Sequence, residues 1–283
     1  MRNLILHKTS LIMTLLLLMM RPVMAETFRY QFAQGDSLPF ELSLNSQLSF
    51  KNLGSLAQLL NMEGLSHNAY LGGEMYITEA EPEVGASIDV EFQNVSIVMI
   101  AGDSVYIDNG SSWGAIRPGS RYGFDISELG EITDFYGPDT LIANQGSRIF
   151  QRFFPVFPVE DIGIGYQWQD SLQFDLQLRG MEPITIFARI DYTFAGSDSI
   201  GYNICQRFDF TISGSSFDKS DLQLSGNGFF YFDRAAGYVR QNNARLEISA
   251  LVDLAAFGMP AGLGRGAPVE IDSELKLRLG SGQ

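Results

Sequence analysis

"VEIDSELKLRL", residues 269–279, alternates from end to end. Val269, Ile271, Leu275, Leu277 and Leu279 share one parity, and Glu270, Asp272, Glu274, Lys276 and Arg278 share the other. A period of two is the side-chain period of a β-strand, and its apolar and charged phases predict one buried and one wet face. Antiparallel sheets support such two-sided strands. Upstream, "ITIFARIDYTF", residues 184–194, carries Ile184, Ile186, Ala188, Ile190, Tyr192 and Phe194 on one face. "ICQRFDFTI", residues 204–212, places Ile204, Gln206, Phe208, Phe210 and Ile212 together, opposite Arg207, Asp209 and Thr211. Turn signals, "GSDSIG" at 196–201 and "DRAAG" at 233–237, separate these runs.

The first half of the chain reads the same way with more interruptions. Ile88, Val90 and Phe92 alternate, and after "QN" the phase slips to Val95, Ile97 and Met99. A one-residue slip within a strand predicts a β-bulge near Asn94. Further strands are expected at 27–32, 38–50, 70–79 and 103–108. Two segments have helical spacing: "LGSLAQLLNMEGL", residues 53–65, and "DTLIANQGSRIFQRFF", residues 139–154, with Asp139 as N-cap. The nine residues "DSLPFELSL", 36–44, return as "DSLQFDLQL", 170–178. Aligning these two copies, or aligning Gly35 with Gly165, gives registers that differ by four residues, and both put a long amphipathic strand after a turn.

The N-terminus has Arg2, His7 and Lys8 ahead of the apolar run "LIMTLLLLMM", residues 11–20, and then "RPVMA" with small residues Val23 and Ala25. This is the layout of a secretory signal peptide cleaved after Ala25. The run is shorter than the roughly 20 residues that a spanning helix needs. The expected mature chain is therefore exported, periplasmic or extracellular, and not an integral membrane protein. Removing residues 1–25, which hold three basic and no acidic residues, leaves 16 basic against 33 acidic residues. That charge opposes binding to nucleic acid, which relies on Lys and Arg displacing counterions. The single cysteine, Cys205, cannot form an internal disulfide. It falls on the polar parity of its strand, so partial exposure is expected.

No catalytic signature emerges. "GSSWG", residues 110–114, matches G-x-S-x-G around Ser112, but Pro118 and Gly119 follow where a nucleophile elbow needs a helix. His67, the one histidine after the signal segment, precedes Ser112 and has no second His or Cys for a metal; it reads as a loop residue. No cofactor, metal or enzymatic activity is expected. The informative oddity is apolar sequence between strands. "SALVDLAAFGMPAGLG", residues 249–264, and the 53–65 segment must cover a core, line a pocket or meet a partner, because surface connections are ordinarily polar. Leu56, Leu60, Met62, Phe257, Met259 and Leu263 are the candidate ligand-binding residues.

"FPVFPVEDIGIGYQW", residues 154–168, holds two prolines that preclude a helix or central strand. With Gly35-Asp36-Ser37-Leu38 it resembles a loose group of bacterial exported β-proteins, whose pattern runs G-D-x-L, then F-P-x-x-P, then G-x-x-W. That resemblance implies export and topology and carries no catalytic residue. The half-barrel outline is also similar in architecture to Lol-type periplasmic lipoprotein carriers. The expected organisation is a signal peptide over 1–25, a β-half over 26–153, a proline-rich crossing over 154–165 and a second β-half over 166–283. The expected fold is all-β: an antiparallel curved sheet, open barrel or two half-barrels in two similar halves, with one or two short helices. The leading functional expectation is a non-enzymatic binding or carrier protein for a lipid or other apolar or amphipathic ligand. The alternative is a structural or interaction component of the cell envelope with a protein partner, and a third is a glycan-active enzyme.

Overall fold

The structure, a computed structural model, describes residues 25–51, 65–101, 104–108, 116–137, 154–176, 184–216, 222–252 and 267–280. Among the described residues twelve strands carry the fold: β1 (Ser37–Phe50), β2 (Leu65–Glu81), β3 (Gly85–Ala101), β4 (Ser104–Asp108), β5 (Arg121–Ser127), β6 (Ile132–Tyr136), β7 (Gln167–Leu176), β8 (Ile184–Ile200), β9 (Asn203–Ser216), β10 (Gln223–Asp233), β11 (Tyr238–Val252) and β12 (Ala267–Leu279). They form one antiparallel sheet in the order β6-β5-β3-β2-β1-β12-β11-β10-β9-β8-β7, with β4 paired to β3. The expected all-β curved sheet is what forms. Among the described residues there is no helix, and nearly all of the two segments read as helical, 53–65 and 139–154, lies outside them.

The opening alternation explains the centre of the sheet. "VEIDSELKLRL" lies in β12, which pairs with β1 from Phe40↔Leu279 to Phe50↔Val269. The first and last strands of the chain thus meet at mid-sheet. Leu277 and Leu279 point to the same face as Phe40 and Leu42, and all four are buried. Their charged neighbours face water. The phase slip near Asn94 is a bulge, as read: Gly72 pairs with Asn94 and Gly73 with Phe92, leaving Gln93 as the extra residue. A second bulge falls at Ala195, between the pairs Phe194↔Phe208 and Gly196↔Arg207.

Registers give the sheet two unlike ends. At one end the strands join by tight turns: 82–84, 128–131, 201–202 and 234–237. At the other end, pairs such as Leu48↔Leu65, Phe50↔Val269, Val252↔Ala267 and Leu176↔Ile184 mark where the longer connections leave and return. Glu26 to Phe32 and Phe154 to Ile162 run across the inner face near the turn end. They are tied to each other where Glu26 and Ile162 exchange both backbone hydrogen bonds, at 2.8 and 2.9 Å. Thr27 Oγ1 donates to Asp161, and Arg29 donates to the carbonyls of Pro158 and Val159.

These two straps seat the largest buried side chains. Phe28 lies 5.1 Å from Phe208 and 5.2 Å from Phe194, centroid to centroid, and Phe157 lies 5.1 Å from Phe232. Phe208 and Phe230 stack at 4.7 Å. Offset and edge-to-face aromatic pairs of this kind add about 0.5–1.5 kcal/mol each beyond burial. Residues of both flanks of the sheet, Phe92 and Phe124 on one side and Ile190 and Phe210 on the other, belong to this single core, so the sheet curls around the straps. Among the described residues no ladder joins β6 to β7, and the curl remains open along that seam.

Four local readings are corrected. Residues 27–32 alternate like a strand because Phe28, Tyr30 and Phe32 face the core, yet they cross the sheet's face and join no ladder. "GSDSIG" is not a turn: the bulge at Ala195 lets β8 continue to Ile200, and the turn falls at 201–202. Cys205 is fully buried and Ile204 is 74% exposed, although β9 runs without an inserted residue: beside the turn at 201–202 the alternation no longer decides which side chain is covered. Burial raises the Cys205 thiol pKa, which makes it less reactive. His67 is not in a loop but in β2, opposite Ser46 on the inner parity between Leu65 and Ala69. Partial burial lowers its pKa.

The two registers for the repeated opener can now be separated. Ala33 to Asp36 and Gly163 to Tyr166 are matching turns: Asp36 N–H donates to Ala33 at 3.1 Å and Tyr166 N–H to Gly163 at 2.9 Å. Gly35 (φ 89°) and Gly165 (φ 86°) occupy the left-handed position in each. Gly35 N–H then donates to Ile77 and Ile77 N–H to Asp36, as Gly165 N–H donates to Phe194 and Phe194 N–H to Tyr166. The glycines are structurally equivalent. The DSL copies are not, since Asp36 precedes β1 whereas Asp170 lies inside β7.

Candidate ligand cavity

The inner face of β7–β12 changes character along its length. Toward the turn end it carries Trp168, Phe194, Phe208, Phe230 and Phe232. Toward the connector end it carries Ile184, Ile186, Ala188, Leu222, Leu224 and Ala250, which form a second buried cluster. Between the two clusters lies an apolar cavity lined by residues from all six strands, among them Leu172, Ala188, Ile212, Leu224, Ala244 and Leu275. Pro155, from the second strap, closes it toward the aromatic core, alongside Tyr192 and Phe210.

Small residues on the inward parity leave this space. Ala188 pairs with Gly214, Gly214 with Leu224, and Gly228 with both Phe210 and Ala244. A Cβ on Gly228 would stand 2.5 Å from the Phe210 ring, and one on Gly226 would stand 2.8 Å from the Leu246 side chain. The glycines therefore concede volume that those larger side chains occupy, and a cleft remains beside Ala188 and Ala244.

The cavity gives the centre of a water-sized sphere about 50 Å³ in which to move. One water needs about 10–15 Å³ on that measure, whereas pockets for drug-sized ligands run to about 300–1,000 Å³. The interior thus suits part of a slender alkyl chain, with the rest of a ligand outside it. Polar groups at its margin are few. Asn242 is buried in the lining, and Tyr192, stacked 5.0 Å from Trp168, has its phenol pKa pushed well above the ordinary range by burial and by the charge of Asp170. Trp168 Nε1 donates to the Val156 carbonyl at 2.9 Å, which fixes the second strap to β7.

Leu56, Leu60, Met62, Phe257, Met259 and Leu263 lie outside the described residues, as does "GSSWG". Their anchoring strands are described. The 52–64 connection leaves β1 after Phe50 and enters β2 at Leu65, and the 253–266 connection leaves β11 after Val252 and enters β12 at Ala267. Since β2, β1, β12 and β11 are consecutive in the sheet, both apolar connections start and finish side by side at the connector end. Ala188, Leu224 and Ala244 escaped the sequence reading as site residues. Their one signal was Ala or Gly recurring on the apolar parity of neighbouring strands, and it needs the register to be seen. Among the described residues no group of His, Cys, Asp and Glu is placed to hold a metal ion. No helix among them is long and apolar enough to cross a membrane.

No protein-family model matches the chain, and no curated protein matches its sequence. Among solved structures, one described as "Lipid-protein interactions in lipovitellin" aligns with 89% of this chain and 26% of that chain, at a TM-score of 0.49 and 12% identity. This chain spans about a quarter of that structure's length.

Proposed function

We propose that the protein binds an apolar or amphipathic ligand by its alkyl part, as a non-enzymatic carrier acting outside the cytoplasm once residues 1–25 are removed. One observation carries this reading: an apolar cavity on the inner face of the sheet, between two buried apolar clusters and toward the end where the two apolar connections are anchored. A stability requirement alone favours filling such a space, because each missing methylene forfeits transfer and packing energy. An acidic outer surface keeps the carrier off anionic membranes while leaving apolar capture inside the sheet unaffected.

The test is titration of the mature chain with N-phenyl-1-naphthylamine, a neutral apolar dye whose emission rises on leaving water. Wild type is expected to bind saturably. Ala188→Leu combined with Ala244→Leu fills the cavity and is expected to weaken binding about tenfold or more, equivalent to about 1.4 kcal/mol, with no fall in melting temperature. Equal binding by the filled variant would contradict the site. A wild type that binds neither the dye nor any alkyl amphiphile would leave the envelope-interaction reading in its place.

A further inference from the structure

The open seam places a charge where a closed barrel would have a hydrogen-bonded strand. Along β7 the inward parity reads Trp168, Asp170, Leu172: an aromatic of the core, a carboxylate, and a lining residue of the cavity. Asp170 pairs across the ladder with Ile190, which also lines the cavity. The carboxylate is half-buried and accepts a hydrogen bond from the Ser171 amide at 2.7 Å. Among the described residues no Lys or Arg forms an ion pair with it. Arg189, its neighbour on β8, faces the outer side and is committed to Asp191 at 2.7 Å. The other charge that reaches Asp170 has the same sign: Glu131, at the entry to β6 on the far side of the seam. Burial first, and Glu131 second among the raising effects, make ionisation of Asp170 costly.

Building on the ligand-binding reading, we propose that Asp170 selects the head group: the cavity takes alkyl chains that end in a cation or a neutral hydrogen-bond donor, and rejects carboxylates. A ligand whose tail lies among Leu172, Ala188 and Ala244 and whose head reaches the β6–β7 seam meets Asp170 there. A cationic head supplies a counter-charge that no described Lys or Arg supplies. A carboxylate would stand as a further anion beside Asp170 and Glu131, in a setting less screened than water. The competing explanation of Asp170 is purely structural: an inward charge on an exposed edge strand discourages edge-to-edge pairing.

The experiment separates these. Three twelve-carbon amphiphiles, dodecylamine, dodecanol and dodecanoate, compete with the neutral dye on the mature chain at about pH 8, far above the ordinary carboxylate range. All are kept below micelle-forming concentration. Dodecylamine and dodecanol are expected to displace the dye, and dodecanoate to need at least about tenfold more, a difference of 1.4 kcal/mol. Asp170→Asn is expected to shrink that gap to within about threefold, less than 0.7 kcal/mol. The variant removes a charge that folding disfavours, so it should melt no lower than wild type. Equal displacement by all three in wild type, or an unchanged gap in Asp170→Asn, overturns the proposal while leaving alkyl binding intact. Self-association of Asp170→Asn with unchanged head-group preference assigns the residue to edge protection instead. Failure of dodecylamine alone to bind by calorimetry overturns this proposal, and failure of the dye and of all three amphiphiles overturns the ligand-binding reading with it.

Discussion

The two ends of the sheet solve opposite problems with the same alternating strands. At the turn end of β7–β10 the inward positions include Trp168, Phe194, Phe208, Phe230 and Phe232, and the straps add Phe28, Tyr30, Phe154 and Phe157, all four buried. Tyr30 even spends its hydroxyl on the Pro155 carbonyl, at 3.1 Å, joining one strap to the other. At the connector end the same parity carries Ala188, Gly214, Gly226 and Ala244, and the space is not filled. The alternation therefore decides which residues face inward, while side-chain volume along each strand decides whether the interior is core or cavity. A sheet that needed only to be stable would carry the aromatic solution through to both ends.

The largest expected effect comes from breaking the filled end. Phe157 touches Phe28, Tyr30, Phe208, Phe230 and Phe232 and is 2% exposed. Phe157→Ala should cost about 3–5 kcal/mol, read as a lower midpoint in urea unfolding. A loss under about 1 kcal/mol would mean that the straps are not part of the core. Next come matched additions of volume. Ala86→Leu overfills the packed flank beside Ile126 and should cost about 1–3 kcal/mol, whereas Ala188→Leu extends into the cavity and should cost less than about 1 kcal/mol. Equal costs would erase the contrast between the two regions. The smallest difference is expected between the two openers, whose equivalence a matched pair of substitutions tests. Gly35→Ala and Gly165→Ala each force a Cβ into the left-handed region with nothing within 4 Å to clash, so each should cost about 1–2 kcal/mol, and by similar amounts. A difference above about 1 kcal/mol between them would break the equivalence of the two turns.

Much of this architecture is written in the strands themselves. The alternation at 184–194 and 269–279 gave β8 and β12 their buried faces, and the slip after Phe92 located a bulge to within a residue. Where the text misled, tertiary placement had overridden a local pattern. Residues 27–32 have the alternation of a strand, but Phe28 and Tyr30 pack face-on against the inner face of the sheet, in its aromatic core, and join no ladder. Cys205 and Ile204 have burials opposite to their strand parity, because beside the turn at 201–202 the alternation no longer decides which side chain is covered. The repeated DSL drew attention to the right strands and suggested the wrong alignment: identity of side chains competed with the glycine geometry of the turn, and the turn sets the equivalence. The cavity was illegible for a different reason. Ala188, Gly214 and Ala244 are unremarkable singly, and only the ladder β8-β9-β10-β11 brings their missing volume together.

The most direct test of that division is a methyl NMR measurement on the mature chain with labelled Ala, Ile and Leu methyls and protonated dodecanol as the ligand. The account predicts intermolecular NOEs from the alkyl chain to the methyls of Ala188, Ile190, Ile212, Leu224 and Ala244, and none to Ile88 or Ile126 in the filled flank. NOEs spread evenly over both groups, or confined to outward-facing methyls such as that of Ile204, would contradict it.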